Sequence, residues 1–261
     1  MSSGKNGRPR DIVLDEKAAQ GELRRRTRRD FLIGGAAAAL GIGGYTWLRS
    51  RDQELGVPWP QRRVLDLNAR IAHGYLSDSH LAPTYSLKDV GKLRANGNVG
   101  LTDDVDTDAW RLHVENAAAG TPPLTLTLND VKSLPRVEMI TKFCCIEGWS
   151  VVTRWAGARL IDFSGKFLAP GQRVPNFVYM ATPDEQYYVG LDAKSALHPQ
   201  TLLAYEMNGE ELEDEHGAPL RLVIPVKYGV KNLKRIGLIR YTDEKPDDYW
   251  NQQGYDWFAG L

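Results

Sequence analysis

Only two cysteines occur in the 261 residues, and they are neighbours in Lys142-Phe143-Cys144-Cys145-Ile146-Glu147-Gly148-Trp149-Ser150. Thiolates are soft metal ligands, so this stretch offers one or two of them. Adjacent cysteines pair only in a strained eight-membered ring, which excludes a disulfide framework. The β-prone run Val137–Ile146 reads as a strand that opens into a loop at Glu147-Gly148, where catalytic groups are well placed. Alternation along such a strand puts Cys144 and Cys145 on opposite faces. The residues alone leave a second reading open, two thiols buried in a core.

A second concentration of chemistry is basic. Lys227, Lys231, Lys234 and Arg235 fall within nine residues, beside Gly229. Basic side chains with free backbone N–H groups make a phosphate site, although a solvated strand edge has the same composition. Other enzyme signatures are missing: no Walker A loop, Gly-x-Ser-x-Gly elbow, His-Glu-x-x-His or Cys-x-x-Cys occurs. The five histidines (His73, His80, His113, His198, His216) show no metal-ligand spacing.

The formal net charge of zero hides an asymmetry. Residues 1–51 hold eleven Lys/Arg against five Asp/Glu, and the remaining 210 residues hold 22 against 28. The acidic body gives no electrostatic reason to expect nucleic acid as a partner. Residues 1–23 are polar without apolar period and read as a disordered extension. The cluster Arg24-Arg25-Arg26-Thr27-Arg28-Arg29 then meets a charge-free apolar run, Phe31 to Leu48. That order, with Thr27-Arg28-Arg29-Asp30-Phe31-Leu32, is a twin-arginine export signal and implies a periplasmic or other extracytoplasmic location. No good small-x-small cleavage site follows Leu48, so retention as a membrane anchor stays open.

The elements that must position these groups are strand-rich. A helix is expected around Arg62–Tyr75 in an otherwise irregular segment, and a brief helix at Asn129–Leu134 stopped by Pro135. Strands are expected at Ala109–Glu115, Leu124–Leu128, Val137–Ile146, Phe177–Ala181, Leu220–Val226 and Ile236–Tyr241. The class is mixed α/β, of α+β type. The expected organisation is a leader over 1–51, an irregular segment over 52–95 that packs on the core, and a single domain over 96–261.

The run Cys145-Ile146-Glu147-Gly148-Trp149-Ser150 resembles the metal-ligand strand of the sulfite-oxidase-like molybdopterin oxidoreductases. Within them it is most like the catalytic subunits of bacterial periplasmic methionine sulfoxide reductases, with their Cys-Val-Glu-Ala-Trp-Ser motif. The resemblance extends over Asn96–Tyr241 and implies a sulfite-oxidase-type molybdopterin-binding fold. It implies Cys145 as the molybdenum ligand and catalytic residue, with no counterpart for Cys144. It implies molybdopterin contacts at Asn96, Val99, Gly100, Thr182, His216, Arg221, Asn232, Leu233 and Lys234, with Lys231 and Lys234 toward the cofactor's terminal phosphate. His216 stands where the family has Asn. The activity implied is oxygen-atom transfer at a mononuclear molybdenum, as reduction of a sulfoxide-like substrate, either a small molecule or protein-bound. No Cys-x-x-Cys-His is present, so electrons would come from a separate partner such as a membrane haem b protein. Two alternatives remain: oxidation of a sulfite-like oxyanion, for which Arg154 and Arg159 are the nearby cations, and a non-catalytic binding module on the same fold.

Overall fold

The computed structural model describes residues 16–101, 106–116, 121–168 and 173–261. Two compact units emerge, Met1–Asp52 and Gln53–Leu261. Among the described residues of the first there is a single helix, α1 (Glu16–Arg49). It begins earlier than the polar composition suggests: Glu16–Leu23, expected to be disordered, is its opening turns, and the first fifteen residues lie outside the described set. Good helix formers explain the extension, helped by the i,i+4 pair of Glu22 with Arg26 at 3.0 Å.

The second unit opens with a short hairpin, β1 (Gln53–Glu54) with β2 (Val57–Pro58), leading into α2 (Trp59–Tyr75). Pro60 sits in the first turn of α2, where a missing N–H is harmless. Arg62 is buried and ties this helix to the chain's far end, donating to Leu55 O at 2.6 Å, Tyr255 O at 3.0 Å and Asn251 O at 3.1 Å.

Two sheets form the body. The strands in chain order are β3 (Leu112–Glu115), β4 (Leu124–Leu126), β5 (Arg136–Cys144), β6 (Ser150–Arg159), β7 (Phe177–Ala181), β8 (Tyr188–Asp192), β9 (Leu202–Met207), β10 (Glu210–Glu211), β11 (Arg221–Val223) and β12 (Leu238–Thr242). One sheet runs β10-β9-β6-β5, with β11 also paired to β9, and is wholly antiparallel. The other runs β4-β3-β12-β7-β8, with β3 and β12 parallel. Short helices α3 (Leu128–Lys132), α4 (Leu160–Phe167), α5 (Ala193–Ala196) and α6 (Tyr249–Gln252) connect the strands. Both sheets contribute to the main core, Leu203 and Leu222 from one, Val178, Met180, Leu191 and Ile239 from the other, all at most 1% exposed. Each fully buried side chain of this size contributes about 1.5–3 kcal/mol. A smaller cluster with Leu93, Trp155, Leu202 and Val223 lies on the other side of the first sheet.

The mixed α/β class and the long strand before the cysteines are as the sequence predicts. The strand β5 stops at Cys144, however, so Cys145 begins a turn. Its N–H donates to Trp149 O at 2.9 Å, and Gly148 N–H donates back to Cys145 O at 3.1 Å. Gly148 has φ +89°, a conformation that a side chain would strain, and it lets the chain reverse into β6 at the Cys144–Ser150 pair.

Candidate functional site

The turn after β5 opens onto a cleft of about 300 Å³. Its walls come from five separate stretches: 93–99, 143–149, 216–221, 229–234 and 249–255, with Tyr187 at the back. Cys145 is buried against it, and Asn96 Nδ2 lies 3.8 Å from the sulfur. The same amide donates to Glu147 Oε2 at 3.3 Å, and Trp149 Nε1 donates to that oxygen at 3.1 Å. These bonds, the indole first, hold the Glu147 carboxyl below the usual carboxylate range.

The same cleft is also basic. Arg221 enters from the start of β11, 1% exposed, with its guanidinium 4.8 Å above the Trp155 ring. It donates to His216 O at 2.8 Å and to Asn232 O at 3.4 Å, while its Nε has no partner among the described residues. Among the described residues no carboxylate pairs with it, and burial pushes its pKa down to about 10. His216, also buried, leaves Nδ1 without a partner; burial, then Arg221, lowers its pKa. Lys234 donates to Asn96 O and Gly97 O, each at 3.0 Å, and burial followed by Arg221 pushes its pKa down to about 8.

An isolated buried cation is unfavourable by several kcal/mol unless an anion or acceptor compensates it. This cleft gathers a counterion-free arginine, an orphaned imidazole nitrogen and a depressed lysine, so it is built to receive a negatively charged oxygen-rich group. It also offers a soft thiol. Rings complete its lining: Phe143 and Trp149 in contact at 5.8 Å, and Trp250 donating from Nε1 to Tyr187 Oη at 3.0 Å. The cleft therefore suits a ligand that combines a flat ring system, an anionic group and a metal.

A model of the oxidoreductase molybdopterin binding domain matches residues 98–250. The chain belongs to that family. It is a molybdopterin-dependent oxidoreductase, and the thiol, the aromatic walls and the orphaned basic atoms fit a pterin carrying a phosphate and a metal. Among its relatives, the protein-methionine-sulfoxide reductase catalytic subunit MsrP of Campylobacter jejuni is 34% identical over 203 residues, 71% of this chain and 68% of that one. The subunit of the same name from Xanthomonas campestris is 36% identical over 143 residues, 49% of this chain and 44% of its own length. Among solved structures, the sulfane dehydrogenase SoxCD of Paracoccus pantotrophus is similar with a TM-score of 0.48 and 20% identity, covering 55% of this chain and 41% of that one.

Of the residues singled out by resemblance, Asn96, Val99, Cys145, His216, Arg221, Asn232 and Lys234 line the cleft of this family member. Asn232 spends its amide on the backbone, accepting from Ile224 N at 2.8 Å and donating to Tyr228 O at 3.1 Å, so it holds the loop. Gly100 (φ +74°) and Thr182 are not in the cleft's lining and pack on each other: a Cβ on Gly100 would meet Thr182 Cγ2 at 2.5 Å. The Thr182 hydroxyl donates to Asp184 at 2.5 Å.

Two expectations need correction. Leu233 is buried in the core, and both its backbone groups are taken, the carbonyl by Leu222 N at 2.8 Å and the N–H by Lys231 O at 3.1 Å. Lys231 points away from the cleft to Asp248 Oδ2 at 2.5 Å and Gly190 O at 2.9 Å. The short helical turn Gly229–Lys231 rotates the chain, so lysines three residues apart face different interiors. Sequence reasoning missed the C-terminal rings Tyr249, Trp250 and Tyr255, whose aromatic density in 249–257 was the available signal.

The depressed Lys234 carries a prediction. A lysine with pKa about 8 is charged below that pH and neutral above it. The cleft of the apo-protein should therefore bind inorganic pyrophosphate more weakly as pH rises from 7 to 9. Loss of one charge-assisted contact is worth about 1.5–3 kcal/mol, or roughly ten- to a hundredfold. Calorimetry should show that slope in the wild type and its absence in Lys234→Met; a slope of opposite sign would exclude Lys234 as the anion ligand.

Proposed function

We propose that this oxidoreductase is exported by the twin-arginine route and reduces sulfoxides, methionine sulfoxide foremost, by oxygen-atom transfer at a mononuclear molybdenum. The observation that carries the reading is one cleft lined by both the Cys145 thiol and the Arg221 and His216 side chains, whose Nε and Nδ1 have no partner among the described residues. The names of the MsrP relatives support the substrate class. When bound, the molybdenum cofactor supplies two-electron oxygen-atom chemistry.

The protein's own groups would divide the work of holding it. Cys145 is the metal ligand, deprotonated on binding as a coordinating thiol is. Arg221, Lys234 and the Nδ1 of His216 hold the phosphate end, and Asn96 keeps its amide on the sulfur and on Glu147. The rings that line the cleft would exclude water and receive an apolar thioether product. Reduction of a sulfoxide to a thioether and water consumes two electrons and two protons, and a separate membrane haem b protein is the proposed electron source.

Oxidation of a sulfite-like anion is disfavoured by two residues. Arg154 donates to Glu138 at 2.8 Å and Arg159 to Asp162 at 2.7 Å, so neither is free to build an arginine cluster around a metal. The decisive experiment is metal analysis and turnover on protein matured in a host that makes the cofactor. Near-stoichiometric molybdenum with reduction of methionine sulfoxide by an artificial donor is expected. Molybdenum with turnover of sulfite alone would reverse the direction, and a folded protein without molybdenum would make it a binding module.

A further inference from the structure

Helix α1 is too well furnished at both ends for a disposable signal. The charge-free run Phe31–Leu48 is eighteen residues long, against about 7–15 for the apolar region of a secretory signal. At about 1.5 Å rise per residue such a run covers roughly 27 Å, close to the roughly 30 Å hydrocarbon core of a bilayer. Its apolar side chains are bare: Phe31 is 79% exposed, Leu40 76% and Ile42 66%. The helix satisfies the length and hydropathy conditions for a membrane span, with none of the apolar window buried. Its one aliphatic hydroxyl, Thr46, turns back to donate to Ile42 O and Gly43 O, each at 3.0 Å. No side chain in the run therefore leaves hydroxyl groups to hydrocarbon, apart from Tyr45, which belongs to the end.

That end is the second observation. Arg49 donates to Tyr45 Oη at 2.9 Å and lies 5.7 Å from the ring centroid, and Arg51 lies 5.2 Å from that of Trp47. Amphipathic rings paired with arginines are what a helix presents at a membrane–water interface. The opposite end carries Arg24, Arg25, Arg26, Arg28 and Arg29, the greater positive charge, which selects the cytoplasmic side. A third observation concerns cleavage. Only Ser50, Arg51 and Asp52 separate the end of α1 from the first strand at Gln53, and they include two basic or acidic side chains, so no extended small-residue segment is offered to a signal peptidase.

We propose that α1 is a retained membrane anchor, inserted in a phospholipid bilayer with its N-terminus in the cytoplasm, that tethers the oxidoreductase unit to the outer face of the membrane. The inference rests on the export reading above but fails separately from it. The anchor fixes the enzyme in the plane where a membrane electron donor would meet it.

The test is fractionation of the full chain in a bacterial host with a twin-arginine pathway, followed by intact mass measurement. The protein should stay in the membrane pellet after alkaline carbonate washing, keep its mass through residue 52, and be digested by protease added to spheroplasts. The Arg49→Ala, Arg51→Ala double variant removes the basic flank and creates a small-x-small site; it should shift to the soluble periplasmic fraction with its N-terminus at Asp52. Wild-type protein soluble in the periplasm with a shortened mass would overturn the anchor and leave export standing. Membrane-bound protein that protease cannot reach from outside would keep the anchor and overturn export, and soluble cytoplasmic protein would overturn both.

Discussion

Cys145→Ser should abolish turnover, while Cys144→Ser should leave most of it. The two thiols are sequence neighbours, yet Cys145 borders the cleft that holds Arg221 and Lys234, and Cys144 borders a different depression with Tyr75, His80 and Phe258. A hydroxyl in place of the soft sulfur removes the only thiol in the main cleft. The expected loss exceeds the roughly ten- to hundredfold effect of losing a partner outside the metal's own ligands. Cys144 is half-buried and free, and its replacement by a group of similar size should change rate by about twofold at most, in line with about 0.5 kcal/mol for an ordinary peripheral substitution. Steady-state rates, molybdenum content and the metal's EPR spectrum together decide the matter. Equal inactivation by both substitutions, with a normal spectrum in each, would remove Cys145 from the metal.

Lys231→Ala should make the protein unfold more readily without emptying the cleft. Lys231 and Asp248 are both about 2% exposed, and their 2.5 Å ion pair is screened by the Trp257 ring, 4.7 Å from the ammonium. Burial lowers the lysine's pKa, and the carboxylate opposes that effect. Removing the lysine strands Asp248, whose remaining donors are Gly190 N at 3.2 Å and Asn251 N at 3.0 Å. Breaking a buried pair from one side costs about 3–5 kcal/mol. For a domain of this size that lowers Tm by roughly 6–20 °C. Pterin bound per folded molecule should stay at the wild-type level, and Lys231→Met with Asp248→Asn should recover much of the stability. Reduced pterin with an unchanged melting curve would show that Lys231 reaches the cofactor after all.

Much of the molecule was legible in the residues for local reasons. Phe177–Ala181, a short β-prone apolar run, is β7 without change, and the run before the cysteines is strand up to Cys144. The apolar, charge-free stretch Phe31–Leu48 lies in a helix because nothing in it interrupts one. Besides the two-residue strands β1, β2 and β10, three longer strands were not expected, because their pattern is set by burial on both faces. β6 holds Trp155, Ala156 and Ala158 inside at consecutive or near positions, since β5 and β9 flank it and both its faces are covered. β9 has four buried residues in a row, Leu202–Tyr205, and an unbroken apolar run of that length has no period to read. β8, with Val189, Gly190 and Leu191 all buried, has the same difficulty.

The site divides along the same physical line. A motif of contiguous residues, Cys145 to Ser150, determined by itself where the thiol lies: at the start of a turn closed by its own backbone and by Gly148. The direction of each basic side chain depended on partners far away in sequence. Lys231 is drawn inward by Asp248, seventeen residues on, and Lys234 is aimed across to Asn96, 138 residues back. Arg221 is a ligand candidate because the folded chain gives it an indole to lie against and, among the described residues, no carboxylate to pair with. Composition determines how many cations the chain carries; only the packed structure decides which of them is left without a counterion, and an unpaired buried charge is what makes a cleft bind an anion.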